Sequence, residues 1–169
     1  ALPSGRKVLV MRARLIVKDS QHLPMVSVVF DDITQRKRTE ERFRQLVESA
    51  PDAILIVDTQ SHIVLCNAQT QKLFGYTSDE LLGQPIGMLL PPRFQNRHHA
   101  HQKLYFDNPR TRLMGGGKVL FGTRKDGSEF PVEISLSPLN TDEGVLVSAA
   151  IRDITERRAV EALEAALER

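Results

Sequence analysis

The 169-residue chain predicts an α+β domain: a five-stranded antiparallel sheet with helices on one face, flanked by an entering and an outgoing helix. Three observations lead there. The segments run strand, strand, several short helices, then three strands, an order that places the helices together against one side of a sheet. In EFPVEISLS, Val132, Ile134 and Leu136 alternate with Glu133, Ser135 and Ser137, so one sheet face is dry and the other polar. Finally, VSVVFDDITQRK (Val26 to Lys37) returns as VSAAIRDITERR (Val147 to Arg158) at an offset of 121 residues, which leaves room for one whole module preceded by the tail of another.

The expected divisions are a hairpin remnant over residues 1–34, a linker helix over 35–50, the domain over 51–155 and a coiled-coil helix over 156–169. KVLVMRARLIV and MVSVVF are rich in branched apolar residues and are separated by the turn formers KDSQHLP, which predicts the hairpin. Two strands bury too little to fold alone, so this piece is expected to be poorly ordered or to complete a sheet in a neighbouring chain. In the linker helix Phe43, Leu46, Val47 and Ala50 form a narrow apolar stripe, and Pro51 stops it. AILIVD and HIVLCN are short strands around TQS. Asn67 caps a helix closing at Gly75; Thr77 and Glu80 have capping-box spacing for a second, closing at Gly83; Pro85 permits a third. PPRFQNRHHAHQKLYFDNP is the longest, opened by Pro91 and Pro92. KVLFGTR, EFPVEISLSPL and VLVSAAIRDI complete the sheet, the first two turned by Lys125, Asp126 and Gly127.

Composition narrows the function classes. With 41% hydrophobic and 26% charged residues the chain is of ordinary globular type. One cysteine, Cys66, excludes an internal disulfide framework and a cysteine-cage metal site, and a cytoplasmic location is expected. No apolar run approaches the roughly 18 to 20 residues of a membrane span. The net charge of +2 gives no overall field strong enough to imply a polyanionic partner, so any such case rests on local patches. Eight lysines and arginines from Arg93 to Lys125 face only Asp107 and Asp126, yet they are spread over helix, loop and turn, and a solvated face is expected rather than direct nucleic-acid binding. MGGG (Met114 to Gly117) lacks the spacing and lysine-serine ending of a phosphate loop.

FGYTSDELLGQP, RKDGSEFPVEISLSP and the closing DITERR resemble the PAS sensory domain of bacterial signalling proteins, over about 115 residues from Glu40 to Thr155. The remnant ending in DITQR resembles the last two strands of a preceding PAS domain. The resemblance implies a regulatory module, not an enzyme, that converts ligand binding, light or redox state into a shift of flanking helices, within a parent protein such as a histidine kinase of a two-component system or a cyclic-dinucleotide enzyme. Two departures stand out. Ser61 replaces a frequent glycine, which is expected to loosen the first hairpin, and Cys66 lies outside the asparagine-cysteine-arginine segment of flavin photoreceptors.

The candidate cavity lies between the long helix and the sheet. Phe94, His98, His101 and Tyr105 recur at i, i+4, i+7 and i+11, one face of the helix, opposite Ile134 and Leu136. In haem-binding PAS domains of oxygen-sensing kinases a histidine on this helix ligates iron, and His98 matches it; Lys118 stands where the resemblance places an oxygen-side arginine, a change that weakens fork-shaped hydrogen bonding. The cofactor is therefore unknown: none, or haem with His98 as its metal ligand. The bland alternative, His98 and His101 filling the inner wall, stays open, and a zinc site from these two lacks further ligands. Asp153, Ile154 and Thr155 form the signal junction, with Thr155 a candidate cap and Arg157 or a linker residue the candidate partner of Asp153. Val160, Leu163 and Leu167 form the seam of a parallel dimer. The expected function is a sensor and transmission module; the alternatives are a haem-dependent gas or redox sensor and a ligand-free dimerisation spacer.

Overall fold

The computed structural model describes residues 6–16, 25–142 and 144–168, and the chain divides into two units, residues 1–47 and 48–169. In the first, β1 (Leu9–Ile16) and β2 (Met25–Asp32) pair antiparallel, with Leu9 opposite Asp32 and Ile16 opposite Met25. The strands predicted there are formed; the intervening KDSQHLP turn lies outside the described residues. Their apolar side chains stay in solvent, Phe30 at 63% exposure. Helix α1 (Thr34–Glu48) follows, shorter at its end than the 35–50 expected, since the chain leaves the helix before Pro51.

The second unit is built on one antiparallel sheet of order β4-β3-β8-β7, whose outer edge is shared by β5 and β6. These are β3 (Ala53–Val57), β4 (Ile63–Cys66), β5 (Arg112–Leu113), β6 (Leu120–Thr123), β7 (Glu129–Thr141) and β8 (Gly144–Asp153). The expected alternation sets the register. Ile151 lies between Ala53 and Ile134, and Ala149 between Leu55 and Leu136, so these residues share the inward face. Ala53, Leu55, Val132, Val147, Ala149 and Ile151 are buried there in one core with Phe74, Leu81, Leu89, Tyr105 and Phe130.

The edge strand departs from expectation. KVLFGTR was predicted as one strand from Lys118, but the edge is split: Leu113 faces Ser135 and Leu120 faces Val132, so seven residues of the edge answer three of β7 and four are extruded. The extrusion is the MGGG stretch. Gly115, Gly116 and Gly117 take φ of 96°, 50° and 85°, left-handed values open to glycine, and Lys118 N donates to Gly115 O at 2.9 Å.

The helices connecting β4 to the edge start where local chemistry says they should. Asn67 caps α2 (Ala68–Phe74) by accepting from Thr70 N, and Gly75 closes it. Thr77 and Glu80 form the reciprocal capping box of α3 (Ser78–Leu81). Gly83 does not close α3 as expected; its N–H instead bonds Ile63 O at 2.8 Å and docks the chain on β4. A 3₁₀ turn (Ile86–Leu89) leads through Pro91 into α4 (Pro92–Asp107), and α5 (Thr155–Leu167) leaves the end of β8. Ser61 does not loosen the β3–β4 turn. It adopts φ of 67°, is buried, and Asp58 Oδ1 accepts from Gln60 N and His62 N, so the side chain of Asp58 holds the turn.

Candidate functional site

The wall of the predicted cavity is only partly assembled as expected. Tyr105 is buried in the core with Ile134 and Leu136 packed against it, and its hydroxyl donates to Arg110 O at 2.9 Å. Burial pushes the Tyr105 phenol above its ordinary pKa. His98 is half-buried on the same face. Phe94 is half-buried at its rim, and the Arg93 guanidinium lies 4.5 Å from its ring. His101 is exposed, and Lys118 is exposed in the extruded turn.

The physical reason is a rotation of α4. Its covered residues with described side chains are Phe94, Gln95, His98, Gln102, Tyr105 and Phe106. At about 100° per residue these centre roughly 60° away from Phe94, which leaves His101 on the exposed margin. Two glutamines on the covered face hid this from an apolar count. Gln95 Nε2 reaches Gly87 O at 3.2 Å and Leu90 O at 3.4 Å, tying the first turns of α4 to the 3₁₀ segment. The same end is clasped to the sheet by Arg93, whose two terminal nitrogens donate to Glu129 at 2.5 and 2.6 Å. That pairing holds the Glu129 carboxyl below its ordinary range and raises the Arg93 guanidinium.

Concavities bordered by described residues include one of about 460 Å³ between Val10, Asp31, Arg36 and Glu40 and another of about 500 Å³ between Asp58, His62, Val64 and Leu82. Neither is bordered by α4. Among the described residues no group of three or more His, Cys, Asp or Glu side chains is placed to hold a metal ion, and no helix is long and apolar enough to cross a membrane.

The exit junction is a connected polar site. Asp153 Oδ1 accepts from Thr155 N at 2.8 Å and from Thr155 Oγ1 at 2.5 Å, so the aspartate caps the start of α5 and Thr155 is its first helical residue, not its cap. The basic partner of Asp153 is Arg124 at 2.9 Å, not Arg157. Arg157 instead reaches Glu133 and Glu161 at 3.3 and 3.7 Å. Arg124 does three things at once: Nε donates to Leu73 O in the last turn of α2 at 3.0 Å, a terminal nitrogen pairs with Asp153, and the guanidinium stacks 3.8 Å from the ring of Phe130. Ile154 is buried beside it, with its N–H bonded to Pro131 O at 3.1 Å. The RKDG turn places Arg124 in sequence, but its partners lie 51 and 29 residues away, so only the fold reveals its role.

Behind the junction, Asn67 is fully buried and joins three strand and helix ends. Its Oδ1 accepts from Ile54 N at 2.9 Å and Thr70 N at 3.0 Å, and its Nδ2 donates to Asp52 O at 3.0 Å. Asp52 in turn takes a two-pronged ion pair from Arg152 at 2.9 and 2.8 Å, on the strand that ends in Asp153.

A family profile described as a PAS domain matches residues 51–156. Sensor protein FixL of Bradyrhizobium diazoefficiens is 27% identical over 158 residues, covering 89% of this chain and 31% of that protein. Oxygen sensor protein DosP of Escherichia coli is 27% identical over 111 residues, 66% of this chain and 14% of its own length. The chain thus spans less than a third of these relatives. Among solved structures, the PAS domain of an HTR-like protein from Haloarcula marismortui superposes with a TM-score of 0.60 at 25% identity, covering 71% of this chain and 95% of that one. The PAS domain of Bordetella pertussis BvgS gives 0.57 at 23% identity, over 78% and 97%. Strand order, helix placement and profile agree, and the chain belongs to the PAS domain family.

Proposed function

We propose that this chain is the sensory and transmission module of a multidomain cytoplasmic signalling protein, taking a small ligand or partner against the wall of Phe94, His98, Tyr105, Ile134 and Leu136 and passing its state into α5. The observation that supports this reading is Arg124. One guanidinium is bonded to the end of α2, stacked on the core ring Phe130, and paired with the aspartate that starts α5. A displacement of the helices on the sheet must stretch or break one of those three contacts, and the third sets the position of the outgoing helix. Val160, Leu163 and Leu167 are exposed at 55%, 62% and 79%, a seam that suits a homodimer in which α5 continues into an effector domain. No catalytic step is assigned to the chain.

The test is made in the full parent protein. Arg124→Ala and Asp153→Asn should each leave the output at one level whatever the stimulus, while Arg157→Ala, which touches neither α2 nor Asp153, should keep the response. A normal response from both junction variants would overturn the relay. Native mass spectrometry that finds no small molecule retained at any stimulus state would favour the ligand-free dimerisation spacer instead.

A second reading, a haem-dependent gas or redox sensor, has His98 in its favour: among the histidines of α4 with described side chains it is the one on the covered face, where an axial ligand would stand. The donor fits and the packing does not. Tyr105 is 4% exposed and Ile134 and Leu136 are packed against the same core, so a macrocycle would have to displace them. Haem titration of wild type and His98→Ala decides: a Soret band present in the first and lost in the second supports this reading, and no band in either removes it.

A further inference from the structure

The first unit repeats four bonds of the second unit's exit. Ile33 N donates to Val8 O at 3.0 Å as Ile154 N donates to Pro131 O at 3.1 Å, and Lys37 N reaches Ile33 O at 3.0 Å as Arg158 N reaches Ile154 O at 3.0 Å. Asp32 Oδ1 accepts from Thr34 N at 3.0 Å and Thr34 Oγ1 at 2.5 Å, the same pair of bonds that Asp153 makes with Thr155. These bonds hold the Asp32 carboxyl below its ordinary range. The strands follow the same register. Leu9 faces Asp32 as Val132 faces Asp153, which sets Met11 where Ile134 stands and Ala13 where Leu136 stands.

What differs is cover. Val147, Ala149 and Ile151 are 3%, 8% and 5% exposed, whereas their counterparts Val26, Val28 and Phe30 are 59%, 44% and 63% exposed. In the second unit the cover comes from β3, which pairs with the far edge of β8, and from the helices over the inward face. Among the described residues β2 pairs on one edge alone. An isolated hairpin with both faces in water is marginal, and an open apolar edge is a ready template for another strand. A second copy of this chain has no first strand to give, because β3 is held on both edges by β4 and β8.

We infer that Leu9–Asp32 is the closing hairpin of a second copy of this fold, and that the free edge of β2 and the face carrying Val26, Val28 and Phe30 receive a first strand and helices encoded upstream of Ala1 in the same parent chain. Helix α1 is then the outgoing helix of that upstream module as well as the lead into residues 51–155, so two aspartate-capped junctions, Asp32 to Thr34 and Asp153 to Thr155, act in series. This goes beyond the sensor reading and does not depend on it, since it rests on the repeated bonds and the exposure difference alone.

The experiment compares the 169-residue chain with the natural chain extended upstream by about 100 residues, one domain's length. Amide exchange across Met25–Asp32 should be slowed at least tenfold in the extended chain. Phe30→Asp should leave the urea midpoint of the 169-residue chain unchanged and should lower, in the extended chain, a transition separate from that of residues 51–155. Equal exchange in the two unmutated chains would overturn the inference even if the extended variant failed to fold. So would a 169-residue chain that self-associates and loses that association on Phe30→Asp, because the edge would then belong to a second copy. Loss of signalling in Arg124→Ala would bear on the relay and leave this result unaffected.

Discussion

Replacing Asn67 with alanine should cost the second unit about 3 kcal/mol, far more than an exposed helix cap. The cap itself, Oδ1 to Thr70 N, accounts for about 1 kcal/mol. Thr70 N retains the backbone oxygen of residue 67 at 3.1 Å, which limits that loss. The larger part comes from Ile54 N–H, which donates to Oδ1, and Asp52 C=O, which accepts from Nδ2. Each orphaned group in a covered site costs roughly 1 to 3 kcal/mol; Ile54 and Asp52 are half-buried, so the lower end applies. Urea unfolding followed by far-UV circular dichroism reads the loss. Asn67→Asp separates the two parts: the acceptor for Ile54 N and Thr70 N survives and the donor toward Asp52 O is lost, so this variant should lose less than Asn67→Ala. A cost under about 1 kcal/mol for Asn67→Ala, in the range of a surface cap, would refute the claim that this side chain joins β3, α2 and the segment before β3.

Three further outcomes follow from particular contacts. Gly122→Ala would set a Cβ 3.1 Å from both Phe74 and Phe130, whose rings meet edge to face at 5.5 Å, and should destabilise by about 1 to 3 kcal/mol in the same unfolding assay. The clasp of α4 is acid-sensitive. Because Arg93 holds the Glu129 carboxyl below 4.5, its contribution is complete above that value and is lost as the pH falls through the lowered one, so Glu129→Gln should flatten the acid limb of a stability-against-pH curve relative to wild type. Leu163→Asp, at the centre of the exposed seam of α5, should shift sedimentation toward monomer at fixed concentration without changing the unfolding midpoint of the monomer.

What the sequence disclosed is what local chemistry decides. Asn67, Thr77 with Glu80, and the two prolines before α4 mark helix starts because each acts within one turn of itself. The alternation in β7 likewise set the sheet face. The misses share a cause in distance. Arg124 was one basic residue of a turn until the fold brought Leu73 and Asp153 to it, and Arg157, closer in sequence to Asp153, turned instead to Glu133. His101 was placed on the inner wall because the face of α4 was assigned from apolar residues, while Gln95 and Gln102 turn that face by hydrogen bonding and partial cover. The divided edge strand escaped because the MGGG residues do not report their own extrusion, which only the pairing of Leu113 and Leu120 with β7 on both sides of it reveals.

The relay itself is tested most directly by amide exchange along α5 in wild type, Arg124→Ala and Arg157→Ala. The guanidinium of Arg124 fixes Asp153, and Asp153 fixes the first turn of α5, so Arg124→Ala should speed exchange at Thr155 and Arg158 several-fold, with the amides of β3 unchanged and Arg157→Ala close to wild type. Unaltered exchange at those two positions, or an equal effect from Arg157→Ala, would contradict it.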